Sequence, residues 1–510
     1  MKQPINRIVR TPTPSVSPPT RQSATASRNQ GRIEKTPPVL IEPVKTTPVP
    51  KEFSLKDHRV QAVHQKYFKQ PDSWVKEGAR LQFYPVAGTR EIDVVIGLDF
   101  GTSFTKAAVG MMDQIHPVTW EGVSGYPEPY LLPSEYTVMD DGHCFIGQVP
   151  GVEISQIVHR LKHPFIDPAV TSESIARATV FVGLVLQYIR AWLFHYHGLT
   201  IGNQAIRWQL NIGAPCNGLE SSYLEHAYRK LAVSAWTCSQ SEFISRLHNL
   251  DEMQGASDQE RLPEGLLDLA VLPEFLAQIA GYVKSARRRP GLHALVDVGG
   301  GTLDVVTFIV HEQDKEDVFP FLVPEIRPLG TQMLNMNRLI GGCVEDVNPP
   351  DELEAILDEA EFAARCRVDQ NHVGMRDELF FEEVRRLVQR VLFETKQKRD
   401  PNSSHWTDGL PMFLTGGGAG YHGYEKAVQG VERRLSKALH LNLSFNLMQL
   451  PCQPGLSGIT DEEYQRISVA CGLAMDAMNL GRITPAVQVE DILINGRPST
   501  PRVDHEDIYG

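Results

Sequence analysis

Two short stretches about two hundred residues apart share one uncommon pattern, "IGLDFGTSFTK" at residues 96–106 and "ALVDVGGGTLDVVTF" at residues 294–308. Each begins as an apolar, β-branched run, reaches an aspartate, changes to small or hydroxylated residues and then returns to strand character. This order predicts a β-hairpin whose first strand ends in an acid. Its repetition predicts two related halves that face one ligand. Strand and helix signals alternate from Asp93 onward, which indicates an α/β fold.

The turn of the first hairpin has the residue types of an anion-binding site. It contains Gly101, Thr102 and Ser103, whose successive N–H groups can form a concave nest for phosphate oxygens. Lys106 adds a positive charge, and Asp99 can hold the water molecules of a divalent ion. Taken alone, these residues are equally consistent with an ordinary tight hairpin.

The second hairpin makes the ligand-binding interpretation stronger. Three consecutive glycines allow the backbone to approach a ligand where any Cβ atom would collide, and they are entropically costly as a purely structural turn. The segment combines small residues with two acids: Asp297, Gly299, Gly300, Gly301, Thr302 and Asp304. We therefore interpret it as a second phosphate-binding turn.

A third glycine cluster lies in "PMFLTGGGAGYHGYEKAVQ", between a predicted strand and a predicted amphipathic helix. Its glycines are Gly416, Gly417 and Gly418. The sequence contains no GxxxxGK[ST] motif, so the phosphate loop of the P-loop proteins is excluded.

Composition narrows the class of protein. A chain of 510 residues with 42% hydrophobic residues can bury a large core in two to four domains. Seven scattered cysteines without a CxxC pair argue against a disulfide framework or a zinc knuckle, and predict a reduced, cytoplasmic protein. The net charge of -12 disfavours general nucleic-acid binding.

The N-terminal 50 residues differ from the rest. They hold ten prolines, and eight Lys/Arg against two Glu give them a charge of about +6. We expect a disordered tail, which serves as a linker, a polyproline II ligand or a set of phosphorylation sites. Residues 51–92 form a partly ordered lead-in. The longest apolar run, residues 178–194, is interrupted by polar residues and predicts a buried helix and not a membrane span.

In chain order, five stretches resemble the phosphate, connecting and adenosine segments of the actin, hexokinase and heat-shock ATPase superfamily: "IGLDFGTSFTKAAV", "NIGAP", "LPEFLAQIAGY", "LVDVGGGTLDVVTF" and "MFLTGGGAGYHGYEKAV". Within it they are most similar to the nucleotide-binding domain of the DnaK-type, seventy-kilodalton heat-shock chaperones. The resemblance covers residues 93–482. It implies an actin-like ATPase fold, in which two ribonuclease-H-like lobes clamp ATP or ADP and Mg²⁺.

The implied lobes are residues 93–293 and 294–484, the second with a shortened subdomain at about 345–405, followed by a C-terminal tail at 485–510. The resemblance implies that Asp99 and Asp297 hold magnesium through water. The turns around residues 101–103 and 299–302 would wrap the phosphates, and Gly416, Gly417 and Gly418 would complete the nucleotide site. Asp304 would bind a cation or fix the hinge.

Two further residues have implied catalytic roles. Glu274, in "EFLA", would orient the attacking water or the metal shell, and a helix-capping role is the alternative. Lys162, in "HRLKHPF", would steady the γ-phosphate and the nucleophilic water. A shift of register would place His159 or Arg160 there, and an exposed surface lysine is the other reading.

Three departures from the chaperone pattern bear on function. Lys106 stands where these chaperones have no lysine, whereas actins carry one. Gly420 stands where they have an arginine beside the adenine. The sequence after the last lobe helix is too short for their peptide-binding domain. We therefore expect a protein partner to be contacted through the tails or through residues 237–265. The alternative is that residues 237–265 form a plain surface loop.

The sequence therefore predicts an ATP-binding, slowly hydrolysing, chaperone-related protein that acts as a nucleotide-controlled switch in the cytoplasm, away from membranes. The principal alternative is a bacterial actin-type ATPase that forms filaments. A small-molecule kinase and a protein that binds ATP without hydrolysing it are further alternatives. Fold-level likeness supports the nucleotide site more strongly than it supports the biological role.

Overall fold

The computed structural model of this chain describes residues 72–84, 88, 90–120, 123, 128–147, 149, 153, 156–166, 170–215, 222–241, 261–342, 356–454, 456 and 458–489. The predicted N-terminal tail, residues 51–71 of the lead-in, and residues 490–510 lie outside this part of the chain. So do residues 242–260 of the predicted docking segment and residues 343–355 of the predicted short subdomain.

The first half of the described chain contains nine strands and five helices: α1 (Asp72–Ala79), β1 (Glu91–Asp99), β2 (Phe104–Met111), β3 (Gln114–Pro117), β4 (Leu132–Pro133), β5 (Tyr136–Val138), β6 (Cys144–Ile146), β7 (Ile157–Val158), α2 (His163–Ile166), α3 (Ser172–Ile201), β8 (Ala205–Ala214), α4 (Ser222–Cys238), β9 (Leu266–Pro273) and α5 (Glu274–Val283).

The described second half adds β10 (Gly291–Val298), β11 (Leu303–Gln313), β12 (Glu316–Arg327), α6 (Thr331–Leu339), α7 (Glu359–Cys366), α8 (Gln370–Glu394), a π-helical turn (Thr395–Arg399), α9 (His405–Asp408), β13 (Leu410–Thr415), α10 (His422–Leu439), β14 (Phe445–Met448), α11 (Asp461–Leu473), β15 (Arg482–Thr484) and two short 3₁₀ turns (Ala477–Asn479 and Ala486–Gln488).

Two large mixed sheets have the same strand order. In the first, the order is β3-β2-β1-β8-β9, with β4 paired to β2. In the second, it is β12-β11-β10-β13-β14, with β15 added beside β12. In the first sheet, β1 and β2 and likewise β2 and β3 are antiparallel, whereas β8 and β9 run parallel to β1. In the second sheet, β10 and β11 and likewise β11 and β12 are antiparallel, whereas β13 and β14 run parallel to β10. The expected α/β class and the expected duplication of the hairpin are confirmed.

Helices α5 and α11 each pack against the sheet that they do not directly follow in the chain. Helix α5 follows the first sheet along the chain, but its Phe275 packs against Phe308 and Phe321 of the second sheet, with ring centroids 4.7 Å apart in both cases. Helix α11 follows the second sheet but packs against the first. There Asn211 Nδ2 donates to two carbonyls at the C-terminal end of this helix, those of Leu473 and Met475, both at 2.8 Å. Helices α5 and α11 therefore each pack across the predicted lobe boundary at residue 294.

Glycines allow these helices to approach closely. A Cβ atom on Gly472 of α11 would lie 1.9 Å from the carbonyl oxygen of Ala277 in α5. A Cβ atom on Gly97 of β1 would lie 2.3 Å from the amide nitrogen of Ala474. Backbone atoms cannot move aside cheaply, so side chains at these two positions would force the elements apart.

Helix α3 is the long apolar helix expected from residues 178–194. Among the described residues it alone is long and apolar enough to cross a membrane, with a mean hydropathy of 1.3, yet 94% of that window is buried inside the protein. Helix α1 of the lead-in packs on it, and the Trp74 ring lies 5.1 Å from that of Tyr188. Of the other lead-in aromatics, Phe83 packs against the core, whereas Tyr84 is 68% exposed.

Replacing Gly472 with alanine should destabilise the fold. We expect the free energy of unfolding to fall by about 1–3 kcal/mol, because the methyl group overpacks the contact between α5 and α11. Urea denaturation followed by circular dichroism measures this loss. Gly198→Ala is the matched control, since a Cβ atom there meets nothing within 4 Å. An equal effect of the two substitutions would contradict the close-packing account.

A buried histidine in β10 predicts a loss of stability in mild acid. His293 is fully buried, its Nε2 lies 2.8 Å from the hydroxyl of Tyr282, and burial lowers its pKa to about 4. The unfolded chain therefore binds a proton below pH 6.5 that the folded chain excludes.

We expect the contribution of His293 to the free energy of unfolding, about 3 kcal/mol, to be present above pH 6.5 and to be lost progressively as the pH falls toward 4. Urea titrations between pH 5 and 7 should give a shallower pH slope for His293→Gln than for the wild type. Parallel slopes would show that the imidazole does not titrate in this way.

Candidate functional site

Both predicted hairpins bring an acid to the turn. Asp99 is the last residue of β1 and lies opposite Lys106 in the register with β2. Asp297 lies opposite Asp304 in the register of β10 with β11. The equivalent strands of the two sheets thus present equivalent acids at the same end of the hairpin.

The third glycine turn is set against the second hairpin by strand pairing. β13 lies parallel to β10 with Thr415 opposite Asp297, and the amide of Gly418 donates to the carbonyl of Val298 at 3.0 Å. A Cβ atom on Gly416, where φ is +88°, would lie 2.1 Å from Asp297 Oδ1. Only glycine fits this position without displacing the acid.

One cavity of about 410 Å³ collects these segments. Every predicted site residue lines it: Asp99, Gly101, Thr102, Ser103, Lys106, Lys162, Glu274, Asp297, Gly299, Gly300, Gly301, Thr302, Asp304, Gly416, Gly417 and Gly418. Residues from five separate parts of the sequence thus converge on one space. Because these parts lie far apart in the chain, long-range folding brings them together.

Each lysine in the cavity is paired with an acid. Lys106 Nζ lies 2.8 Å from Asp99 Oδ2. Lys162 Nζ lies 2.5 Å from Glu274 Oε1, and Lys162 is only 5% exposed, so it is not a surface lysine. Burial by itself lowers the pKa of Lys162, but the negative charges of Glu274 and Asp99 outweigh it and the pKa is raised. Lys162 therefore stays charged at neutral pH.

Glu274 opens helix α5 but does not cap it. The N-cap residue is Pro273, and Glu274 is the first residue of the helix, with its side chain turned to Lys162. The alternative role suggested by its sequence position, helix capping, does not describe this geometry. The side chain instead lines the cavity.

Two acids in the cavity, Asp297 and Asp304, form no ion pair with a lysine in the part of the chain that the structure describes. Asp297 accepts a hydrogen bond from Gln278 Nε2 at 3.0 Å, and burial raises its pKa to about 6. Burial, with the charges of Asp297 and Glu274, raises the pKa of Asp304 to about 8. Asp304 Oδ1 is buried without a hydrogen-bond partner in the described structure. Such an orphaned acceptor is costly unless a cation or a proton satisfies it.

The balance of charge fits a divalent cation. Five acids and three basic side chains line the cavity, so it holds an excess of two negative charges when all groups are ionised. Among the described residues, no group of three His, Cys, Asp or Glu side chains is placed to bind a metal directly. An ion that keeps its water shell and is held through water, as Mg²⁺ prefers, needs no such group.

A hydrogen bond connects the first hairpin to the second half of the molecule. Gln332 Nε2 in helix α6 donates to Ser103 Oγ at 2.7 Å. Helix α6 is itself fixed to the second glycine turn, because the amide of Gln332 donates to the carbonyl of Gly300 at 2.8 Å. The first and second glycine turns are therefore linked to each other through Gln332.

Gly420, at the position expected to lie beside the adenine, also lines the cavity. Gly420 has open space where a Cβ atom would lie. Next to it, Tyr421 lines the cavity, and its hydroxyl accepts from Arg338 Nη2 at 2.7 Å. Arg338 is fully buried and forms a two-bond pair with Asp377, with both distances 2.7 Å. Arg338, itself fixed by Asp377, thus holds the Tyr421 side chain in position.

Sequence reasoning missed several residues of the cavity: Phe104, Glu128, Gln278, Thr331, Ile356, Tyr421, Gln465, Arg466 and Val469. Gln278 and Gln332 were unremarkable helical glutamines. Gln278 had a usable signal, since it lies one turn after Glu274 on the same helix face.

Comparisons with models of known protein families and with curated proteins both give no match. The geometry of the cavity therefore carries the functional argument.

Replacing Asp304 with asparagine should change how stability depends on pH. Because the pKa of Asp304 is raised in the folded state, the folded chain holds a proton that the unfolded chain releases between about pH 4 and pH 8. As the pH rises through this range, the free energy of unfolding of the wild type should fall relative to that of Asp304→Asn. Melting temperatures are measured for both proteins at pH 5.5 and pH 8 with EDTA present. The value for Asp304→Asn minus the value for the wild type should be larger at pH 8 than at pH 5.5.

The exposed aspartate Asp268 provides the control, as Asp268→Asn should leave this pH dependence unchanged. If Asp304→Asn follows the wild type at both pH values, the buried carboxyl group does not have the environment described above.

Proposed function

We propose that this chain binds ATP and ADP with Mg²⁺ and hydrolyses ATP slowly, as a DnaK-like protein with an actin-like two-lobe fold. One observation carries the proposal. Two sheets of identical strand order each contribute an acid-tipped hairpin to the same cavity, and a third glycine turn completes it. Backbone turns, acids and lysines around one space suit a polyphosphate, because phosphoryl transfer depends on positioning and charge neutralisation.

The residues present fit a nucleotide with a hydrated magnesium ion. Asp99, Asp297 and Asp304 would hold the ion through its water molecules, and when bound it would neutralise charge on the phosphates. The amides of the turns around residues 101–103 and 299–302 would donate to phosphate oxygens. Lys106 already lies at the base of the first turn, since a Cβ atom on Gly101 would be 3.3 Å from its Nζ.

The pair formed by Lys162 and Glu274 is suited to the hydrolytic step. Glu274 would accept a proton from, or orient, the attacking water, and Lys162 would stabilise negative charge on the transferred phosphoryl group. Their contact fixes both side chains before a ligand enters, which limits the reorganisation required during the reaction.

The hydrogen bond between the two halves supports the proposal of a switch. Ser103 and Gln332 join the two halves by a hydrogen bond that a ligand between the turns would strengthen or replace. Binding that favours one arrangement of the halves shifts the population toward it. We propose that this chaperone-related switch works in the cytoplasm and acts on a protein partner through the tails or through residues 237–265.

Gly301→Ala is the sharpest test of nucleotide binding. A Cβ atom on Gly301 meets nothing within 4 Å, so the substitution should not disturb the fold. Because Gly301 lines the cavity, the added methyl group should obstruct phosphate and weaken ATP binding at least tenfold, which corresponds to about 1.4 kcal/mol. Isothermal calorimetry with Mg²⁺ measures the affinity, and phosphate release measures hydrolysis.

Gly198→Ala, which also meets nothing within 4 Å but lies on α3, should bind ATP as the wild type does. Asp99→Ala should reduce the dependence of binding on Mg²⁺. A wild-type protein that binds neither ATP nor ADP would refute the proposed function, whatever the variants do.

A further inference from the structure

The third basic side chain of the cavity belongs to a residue with no role in the proposal above. Arg466 lies on helix α11, and its Nη1 donates to Glu128 Oε1, which lines the same cavity. The two residues are 338 positions apart in the chain. The pair therefore repeats the arrangement of Lys106 with Asp99 and of Lys162 with Glu274, in which a cation lining the cavity is held by an acid that also lines it.

The rest of the Arg466 guanidinium lies beside the third glycine turn. Its Nε and Nη2 are both 4.0 Å from the Cβ position of Gly417. The guanidinium carbon lies 5.7 Å from the centre of the Phe104 ring, which follows the first glycine turn. Arg466 thus stands between the first and third turns, with one edge toward Glu128 and the other toward Gly417.

We infer that Arg466 is a further phosphate-binding residue of this cavity, and that Glu128 is a built-in competitor for it. This inference rests on the proposed function and deepens it. The planar guanidinium presents a fork of N–H donors that matches phosphate oxygens, and such charge-assisted bonds are stronger than neutral ones. The ligand would be a nucleoside polyphosphate whose phosphate groups reach the space between Phe104 and Gly417.

The partner exchange is physically reasonable because the pair is only partly buried. The Arg466 side chain is 23% exposed and the Glu128 side chain is 39% exposed. Ion pairs at this level of exposure contribute little net stability, so a dianionic phosphate can displace Glu128 at small cost. Glu128 also pays little when released, because water can solvate its carboxylate. Ligand binding would therefore loosen the contact between α11 and the segment before β4.

The experiment measures ATP and adenosine binding by calorimetry, with Mg²⁺, to the wild type and to four variants. Arg466→Met should weaken ATP binding about tenfold, the loss of one charge-assisted bond, and should leave adenosine binding unchanged. Glu128→Gln should strengthen ATP binding about threefold, because the competing charge is removed. In the double variant, Glu128→Gln should have no further effect, since its influence acts only through Arg466. Arg466→Lys should restore part of the affinity.

Exposed residues supply the matched controls, Arg433→Met on α10 and Glu312→Gln at the end of β11, and both should bind ATP as the wild type does. A wild type that binds ATP while Arg466→Met binds it equally well overturns this inference and leaves the proposed function intact. An equal loss for ATP and adenosine also overturns it, because that pattern indicates a purely structural role. Absence of ATP binding by the wild type refutes the proposed function first, and this inference with it.

Discussion

The contact between helices α5 and α11 fixes the geometry on which the cavity depends. Each helix packs on the sheet that the other follows in the chain, and they meet where Gly472 lies against the backbone of Ala277. α5 begins at Glu274 and α11 carries Arg466, so the same helix pair that joins the two sheets also delivers an acid and a base to the cavity. Structure and site are therefore coupled through one interface.

Charge pairing explains how a cavity with so many ionisable groups remains stable. Buried charges are costly unless they are paired, and each basic group that lines the cavity in the described structure has an acidic partner within it. The remaining acids, Asp297 and Asp304, carry raised pKa values of about 6 and about 8. A divalent cation would take over the acids and release the basic groups toward phosphate. The proposed ligand therefore completes both halves of the charge pattern.

Local sequence patterns predicted the hairpins and the three glycine turns, because a buried strand, an acid and a turn follow one another within a few residues. They did not identify Lys162 and Glu274, which the family resemblance implied and whose contact joins residues 112 positions apart. The exchange of α5 and α11 was beyond them, since periodicity identifies the apolar face of a helix but not the sheet that it covers. Arg466 and Glu128 were missed for the same reason: each is an ordinary charged residue until folding brings it to the cavity.

Hydrogen–deuterium exchange with and without Mg²⁺ and ATP tests the central claim most directly, because it reports where a ligand sits and not only whether it binds. The account predicts slower exchange of amides in the three turns, at residues 99–106, 297–304 and 416–421, and at the start of α5 and in α6. It predicts little change in α3, because no residue of this helix lines the cavity. Unchanged exchange in all three turns at saturating ATP would contradict the claim that they form one nucleotide site.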